Sequence, residues 1–204
     1  MSNIKYLNNI FTESELNLLA ISVQNSEKHH DPEYGRQMGK NLNNIGIIHN
    51  KVLSIAEDVF ESPLSIASII SCTYSNEFGI PNLPPHFDGA AAGHIINFQL
   101  KSNTSWDIGL DLDLYPIKDN SALLFNANET AHWRPHKTFK DEEYVTMIFF
   151  RFKSTESEKI YNNPPSFHRP GPEGHGFNCI GCMSKPRSIN EDLIDKIYKI
   201  RDAS

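Results

Sequence analysis

The chain has 204 residues, of which 39% are hydrophobic and 22% are charged, and its formal net charge is −6. This composition excludes a wholly disordered protein, and the negative net charge argues against nucleic-acid binding through bulk charge. No apolar run reaches the roughly 18–20 residues of a membrane span, and the N-terminus lacks the features of a secretion signal. Three cysteines without such a signal predict a reducing, cytoplasmic setting. We expect neither nucleic acid nor a membrane as a partner.

The first elements of the chain are predicted to be two helices. Thr12 and Glu15 form a capping box, in which each side chain accepts a hydrogen bond from the backbone amide of the other. Apolar residues then recur at helical spacing, and a second apolar stripe predicts a helix over about 45–60. The polar segment between them, 24–44, is predicted to be a loop.

From residue 64 onward, β-branched runs and alternation replace the helical spacing. Short strands are predicted near 64–74, 94–100, 106–115, 122–126, 130–134 and 144–152. The stretch 106–115 alternates polar and apolar residues, as a half-buried strand or hairpin arm does. Closely spaced short strands favour a sandwich or jelly roll over alternating βα units.

The C-terminal part has a different composition. Five prolines and four glycines lie within 162–186 and predict an extended, irregular arm. A second capping box, from Ser188 to Glu191, then opens a terminal helix. We expect residues 1–155 to form a sandwich or jelly-roll domain with N-terminal helices, and 156–204 to form an arm and helix packed on that domain.

The pair His86-x-Asp88 carries the chemical signal. Residues two apart on a strand face the same side, so this imidazole and carboxylate can bind one cation. A third ligand, typically a histidine, would complete a facial triad with open positions, which suits non-haem Fe(II). With nine histidines, a chance match is expected, and His29-His30-Asp31 is a second one. That match lies in the polar segment, where we expect solvated side chains.

The flanking segments make the first match specific. Tyr74 precedes it near the end of a strand, and the strand 121–125, then His132, then the apolar strand 144–150 follow it. From Tyr6 to Phe152, this order and spacing resembles the Fe(II)- and 2-oxoglutarate-dependent dioxygenases, in particular the prolyl-4-hydroxylase-like group.

The resemblance implies a mainly β fold, a double-stranded β-helix of the jelly-roll or cupin-like kind with flanking helices. It implies that Fe(II) is bound by His86, Asp88 and His132, with 2-oxoglutarate as cosubstrate and O₂ as the oxidant. Halogenating relatives lack the carboxylate, so Asp88 favours hydroxylation or a related oxidation. His136 competes for the third position, but His132 is favoured because it follows its strand directly and precedes Pro135.

The chain departs from the family pattern at the cation that binds the distal carboxylate of 2-oxoglutarate. This Arg or Lys normally opens the last strand, where the chain instead has Glu142-Glu143-Tyr144. The cosubstrate is therefore held unusually, or it is not 2-oxoglutarate. The candidate cosubstrate-binding residues elsewhere in the chain are Arg134, Arg151 and Lys101, together with Tyr74 and Asn97 as hydrogen-bonding groups.

The predicted arm contains a second set of metal-ligand types. Paired cysteines with two histidines can bind Zn²⁺ tetrahedrally. The spacing does not match a standard finger, so a redox cysteine pair or no such role remain alternatives. The candidate ligands of this structural zinc are His168, His175, Cys179 and Cys182.

Three functions follow from these patterns. The leading hypothesis is an iron oxygenase that acts on a small molecule, such as an amino acid or a related metabolite. A second is a protein or peptide hydroxylase of the prolyl type, because family analogy does not set the substrate. A third is a non-catalytic jelly-roll binding module, against which the intact His86, Asp88 and His132 argue.

Overall fold

The computed structural model describes residues 4–42, 45–88, 93–154 and 191–203. The helices in these ranges are α1 (Glu13–Gln24), α2 (Gly46–Phe60) and α3 (Glu191–Asp202). The strands are β1 (Lys5–Asn8), β2 (Glu27–Asp31), β3 (Arg36–Lys40), β4 (Leu64–Ser75), β5 (His94–Ser102), β6 (Ile108–Leu110), β7 (Asp113–Tyr115), β8 (Ser121–Asn126), β9 (His132–Trp133) and β10 (Tyr144–Ser154). None of the described helices is long and apolar enough to cross a membrane.

The strands form two antiparallel sheets. The larger has the order β1-β8-β5-β10-β4-β3-β2, and the smaller has the order β7-β6-β9. An isolated antiparallel bridge pairs His86 with His132 at the edge of the smaller sheet. Apolar side chains from both sheets meet in one core, to which Cys72, Ile95 and Ile108 belong. This is the predicted jelly roll, and the fold class is confirmed.

The two faces of the larger sheet have different partners. Along β10, Ile148 and Phe150 pack in one core with Val52 of α2. Met147 lies on the opposite face, in the core shared with the smaller sheet. Because side chains alternate along a strand, Arg151 also points into the space between the sheets.

Helix α3 covers the outer side of the smaller sheet. Ile197 packs against Ala131 and Trp133, and all three side chains are fully buried. Arg201 donates from Nε to the Arg134 carbonyl at 3.0 Å. The back of β9 is therefore supported by a helix from the end of the chain. The predicted arm and the capping box before this helix lie in 155–190, outside the described residues except for Glu191, and the division at 155 stays a prediction.

The helix predictions are confirmed, and the Thr12–Glu15 capping box is present at the start of α1. The loop prediction for 24–44 is wrong, because this segment contains the hairpin β2–β3, which pairs with β4. The side chains of β2 are mostly exposed, so its composition resembles that of a loop. Hydrogen bonding to a neighbouring strand, rather than burial, makes it a strand. Strand β1, which pairs with β8, was not predicted for the same reason.

The stretch 106–115 is the predicted hairpin, with a tighter turn than the alternation indicated. Asp111 adopts a left-handed conformation with φ 50°, and β6 and β7 lie on either side of it. Ile108 and Leu110 are buried, whereas Leu112 and Leu114 are 43% and 39% exposed. The apolar alternation therefore continues past the part of the hairpin that packs in the core.

Close packing between β6 and β9 gives a stability prediction. A Cβ atom on Gly109 would fall within the indole of Trp133, the neighbour of His132 in the chain. We expect Gly109→Ala to lower the free energy of unfolding by about 1–3 kcal/mol, the usual cost of overpacking a core. The measurement is urea denaturation followed by tryptophan fluorescence.

The matched control is Gly46→Ala at the start of α2, where an added Cβ has no atom within 4 Å. Because alanine favours helix over glycine, this variant should be as stable as the unmodified protein or slightly more stable. Equal stabilities of the two variants would contradict the predicted contact at Gly109.

Candidate functional site

Three side chains converge at one end of the smaller sheet. His86, Asp88 and His132 each offer a ligand atom, and these atoms lie within 4.8 Å of one another. Asp88 Oδ1 lies 3.9 Å from His86 Nε2 and 3.8 Å from His132 Nε2. No other group of three or more histidine, cysteine, aspartate or glutamate side chains in the described ranges meets this condition.

Backbone pairing places the two histidines. The amide of His86 donates to the His132 carbonyl at 3.2 Å, and the amide of His132 donates back at 2.9 Å. The ring centroids are 4.0 Å apart. Asp88 follows two residues after His86, and its amide donates to the Ala127 carbonyl at 2.9 Å. Three ligand residues from two distant segments of the chain are thus fixed by main-chain hydrogen bonds.

The hydrogen bonds of the rings set which nitrogen is available to a metal. His86 Nδ1 lies 2.8 Å from the Pro84 carbonyl, and His132 Nδ1 lies 3.4 Å from the Thr130 carbonyl. A carbonyl can only accept, so each Nδ1 carries the proton and each Nε2 keeps its lone pair. Metal-binding histidines have the same arrangement, with the outer nitrogen oriented by a backbone carbonyl.

The charge states also suit a metal. Burial, together with the neighbouring His86, lowers the pKa of His132 to about 3, so this imidazole is neutral near pH 7. Burial of Asp88 raises the pKa of its carboxyl, but the attraction of His132 and of Arg151 outweighs this and holds the pKa below its usual range. The site therefore presents the neutral imidazole of His132 beside the carboxylate of Asp88.

The three side chains differ in exposure. The His86 side chain is 35% exposed, that of Asp88 is 17% exposed and that of His132 is 7% exposed. The cluster is therefore open to solvent on the His86 side and closed on the His132 side. A small ligand can approach the cluster from the His86 side and would contact protein on the His132 side.

Two predicted cosubstrate-binding residues lie on the inner face of the larger sheet, and one of them, Arg151, contacts this cluster. Arg151 Nη2 donates to Asp88 Oδ2 at 3.1 Å. Asn97 is 3% exposed and pairs with Phe149, two residues before Arg151. Asn97 Oδ1 and Arg151 Nε are buried without a hydrogen-bond partner in the described part of the chain. Both atoms can serve a ligand that enters the space between the sheets.

Arg134 and Tyr74 lie together deeper in the core. Arg134 is 2% exposed, stacks on Trp106 with its Cζ 4.7 Å from the ring centroid, and donates to the Trp106 carbonyl. Burial lowers its pKa to about 10, so it remains a cation at pH 7. Tyr74 is 1% exposed and meets the same Trp106 ring edge-to-face at 5.1 Å.

Among the described residues, the Arg134 guanidinium has no ion-pair partner. Within the described residues, no carboxylate lies within 4.0 Å of it. A buried charge without a partner costs several kcal/mol, and such costs are offset when an anionic ligand binds. Arg134 lies two residues beyond His132, toward Tyr74, so an anion beside it would be close to the metal cluster.

Arg36 is a charged group at this end of the core that sequence reasoning missed. It lies on β3 opposite Tyr74, and its Nη1 donates to the Tyr74 hydroxyl at 3.4 Å. Asp31 pairs with its guanidinium at 2.8 Å. No sequence signal marked it, because β3 was taken for a loop and its partner strand is 38 residues away.

Other predicted residues are not brought to the cluster. Lys101 is exposed on β5, and His136 is exposed with its Nε2 3.3 Å from Asp202. In the second His-x-Asp match, Asp31 pairs with Arg36, and His30 Nε2 contacts the Phe78 carbonyl. Trp106 and Trp133 are buried packing residues, as expected. The predicted zinc ligands His168, His175, Cys179 and Cys182 all lie outside the described residues, and nothing elsewhere supports a structural zinc.

The donor set of the cluster fits a 2-His-1-carboxylate iron site. Two neutral imidazole nitrogens and one carboxylate oxygen, with open positions on the remaining side, are typical of non-haem Fe(II). A structural zinc would instead require a closed set of four ligands.

No protein-family model and no curated protein matches this chain. The comparison with solved structures, in contrast, finds similar folds. HygX from Streptomyces hygroscopicus, solved with nickel, 2-oxoglutarate and hygromycin B, matches with a TM-score of 0.61 at 10% identity, over 76% of this chain and 84% of HygX. SnoN, a non-heme α-ketoglutarate-dependent epimerase from nogalamycin biosynthesis, matches with a TM-score of 0.59 at 12% identity, over 85% of this chain and 89% of SnoN.

A prolyl hydroxylase from Trichoplax adhaerens, solved with a peptide of hypoxia inducible factor, matches with a TM-score of 0.55 at 10% identity, over 78% of this chain and 86% of that one. The chain has the fold of the Fe(II)- and 2-oxoglutarate-dependent oxygenases. The resemblance predicted from the motifs is thereby confirmed at the level of the fold. At this identity, a shared oxygenase fold does not specify a substrate.

The cluster predicts a single site for a divalent metal. Co(II) titrated anaerobically into the protein should bind with 1:1 stoichiometry and give a visible absorption band. His132→Ala should weaken binding by at least tenfold, because it removes the most buried of the three ligand atoms. His136→Ala is the matched control, since this exposed histidine lies outside the cluster. Weaker binding in the control than in His132→Ala would contradict this assignment of the third ligand.

Proposed function

We propose that this protein is a non-haem Fe(II)- and 2-oxoglutarate-dependent oxygenase that oxidises a small molecule. The proposal rests on one observation: His86, Asp88 and His132 bring three ligand atoms within 4.8 Å inside a jelly roll with the oxygenase fold. The overall reaction converts a substrate C–H bond, O₂ and 2-oxoglutarate into an alcohol, succinate and CO₂, so that atoms and electrons balance.

His86 Nε2, His132 Nε2 and one oxygen of Asp88 hold the iron in this proposal. When bound there, Fe(II) supplies the centre at which O₂ is reduced while 2-oxoglutarate is oxidised. The carbonyls of Pro84 and Thr130 keep both imidazoles in the tautomer that leaves Nε2 free. The apolar side chains of Ile95, Phe125 and Met147 are buried in the same interior and exclude water from it.

Arg134 binds the distal carboxylate of 2-oxoglutarate, with Tyr74 beside it. The supporting observations are its complete burial, its position two residues after His132, and the absence of an ion-pair partner within the described residues. A guanidinium matches a carboxylate with two parallel hydrogen bonds. In the family pattern, an Arg or Lys at the start of the last strand binds this carboxylate, but this chain has Glu142-Glu143-Tyr144 there. With the present assignment, Arg134 supplies the missing cation from another position.

A small molecule is the preferred substrate class. Two of the similar structures support it, because HygX was solved with hygromycin B and SnoN with nogalamycin RO. The prolyl hydroxylase was solved with a peptide, which keeps a peptide substrate as the second candidate. Asn97 Oδ1 and Arg151 Nε, which are buried without a hydrogen-bond partner in the described residues, suit a substrate that carries hydrogen-bonding groups.

The central test is an anaerobic titration with Fe(II) and 2-oxoglutarate. A weak visible charge-transfer band is expected when 2-oxoglutarate joins the iron-loaded protein, and admitting air should produce succinate. His86→Ala should abolish both signals, because the metal loses one of three protein ligands. A protein that gives no band and forms no succinate in air would be a binding module instead of an oxygenase.

The assignment of Arg134 gives a second prediction. Arg134→Met should raise the dissociation constant for 2-oxoglutarate by about 10–100-fold, because it removes a charge-assisted hydrogen bond to a carboxylate worth about 1.5–3 kcal/mol. The measurement is calorimetric titration of the Ni(II)-loaded protein with 2-oxoglutarate. Lys101→Met is the control, since Lys101 is exposed and should not affect this constant. A larger increase of the dissociation constant in Lys101→Met than in Arg134→Met would instead assign the carboxylate contact to Lys101.

A further inference from the structure

The two oxygens of the Asp88 carboxylate have different neighbours. Oδ1 lies 3.9 Å from His86 Nε2 and 3.8 Å from His132 Nε2. Oδ2 accepts a hydrogen bond from Arg151 Nη2 at 3.1 Å. One oxygen therefore faces the histidines that would share a metal, while the other is turned toward a permanent cation on the opposite sheet.

Within the described residues, Asp88 is the only hydrogen-bond acceptor of the Arg151 guanidinium. The buried Nε of Arg151 has no partner in these ranges. No other hydrogen bond in the described residues therefore explains why this guanidinium is turned toward the metal cluster. The contact with Asp88 is therefore the main polar interaction that orients Arg151.

The position of Arg151 separates it from the proposed carboxylate site at Arg134. Arg151 pairs with Ser68 on β4, whereas Tyr74 lies six residues farther along that strand. At about 3.3 Å per residue, these two backbone positions are about 20 Å apart along β4, so Arg151 and Tyr74 extend into the interior from different places along the sheet. Arg151 thus serves the end of the interior that holds Asp88, and Arg134 serves the end that holds Tyr74.

We infer that Arg151 is a positioning residue for the metal site, which holds Oδ2 of Asp88 so that Oδ1 alone is presented to the metal. The inference rests on the proposed function and extends it. A carboxylate with one oxygen held by a guanidinium binds a metal through the other and leaves more positions open for cosubstrate and O₂.

The expected effect is on metal affinity. Outer partners of metal ligands typically contribute 10–100-fold to binding. In the full chain, Arg151→Gln should therefore weaken Ni(II) binding by about 10–100-fold in calorimetric titrations. Arg151→Lys, which keeps the charge and one donor, should recover a large part of that loss. Lys118→Met is the control, because it removes an exposed cation elsewhere in the chain and should bind Ni(II) normally.

A second readout separates positioning from a general structural role. The Co(II) absorption spectrum should change in Arg151→Gln, because both oxygens of Asp88 become available to the metal. It should stay unchanged in Lys118→Met. A variant that is merely less stable would show a lower thermal midpoint with an unchanged Co(II) spectrum and an unchanged Ni(II) affinity of its folded fraction, and that result would overturn the inference.

The outcomes for the two proposals are distinguishable. If the unmodified protein fails to bind Ni(II), both the proposed function and the role of Arg151 are refuted. If the unmodified protein and Arg151→Gln bind Ni(II) equally well and give the same Co(II) spectrum, only the role of Arg151 is refuted. Equal losses in Arg151→Gln and Arg151→Lys would also refute it, because the retained charge and donor would then have no effect.

Discussion

The site depends on the backbone pairing of His86 with His132. These residues are far apart in the sequence, yet two reciprocal hydrogen bonds of 3.2 and 2.9 Å join them. In an antiparallel pair of this kind the two side chains lie side by side, and here the ring centroids are 4.0 Å apart. Asp88 faces the same cluster two residues after His86. Without this pairing, His132 would not join the ligand atoms of His86 and Asp88.

The interior of the jelly roll combines this cluster with two cations at separate positions. Arg151 compensates the charge of Asp88 at the metal end. Arg134 lies farther in, buried against Trp106 and near Tyr74. Apolar side chains between the sheets lower the local dielectric, which strengthens each of these electrostatic interactions. An anionic cosubstrate that spans from the metal to Arg134 would therefore meet positive charge at both ends.

The comparisons show how weakly this fold constrains sequence. The similar structures share 7–12% identity with the chain, yet TM-scores reach 0.61. A jelly roll requires alternating apolar side chains and short turns, which many sequences satisfy. The metal cluster needs only three residues in fixed register. A fold does not set the substrate, so similar structures solved with hygromycin B and with a peptide are compatible with one fold.

The sequence by itself determined the features that depend on local pattern. The capping box at Thr12, the apolar stripe of α2, the alternation in β10 and the His86-x-Asp88 pair are all short-range signals, since neighbouring residues create them. It also supplied Arg134 and Arg151 as candidates without separating their roles. Only the tertiary structure decided that His132 rather than His136 joins the cluster, that Lys101 is exposed, and that Arg36 contacts Tyr74. These outcomes depend on strand register and on which face a side chain occupies, and both are set by pairing between residues far apart in the chain.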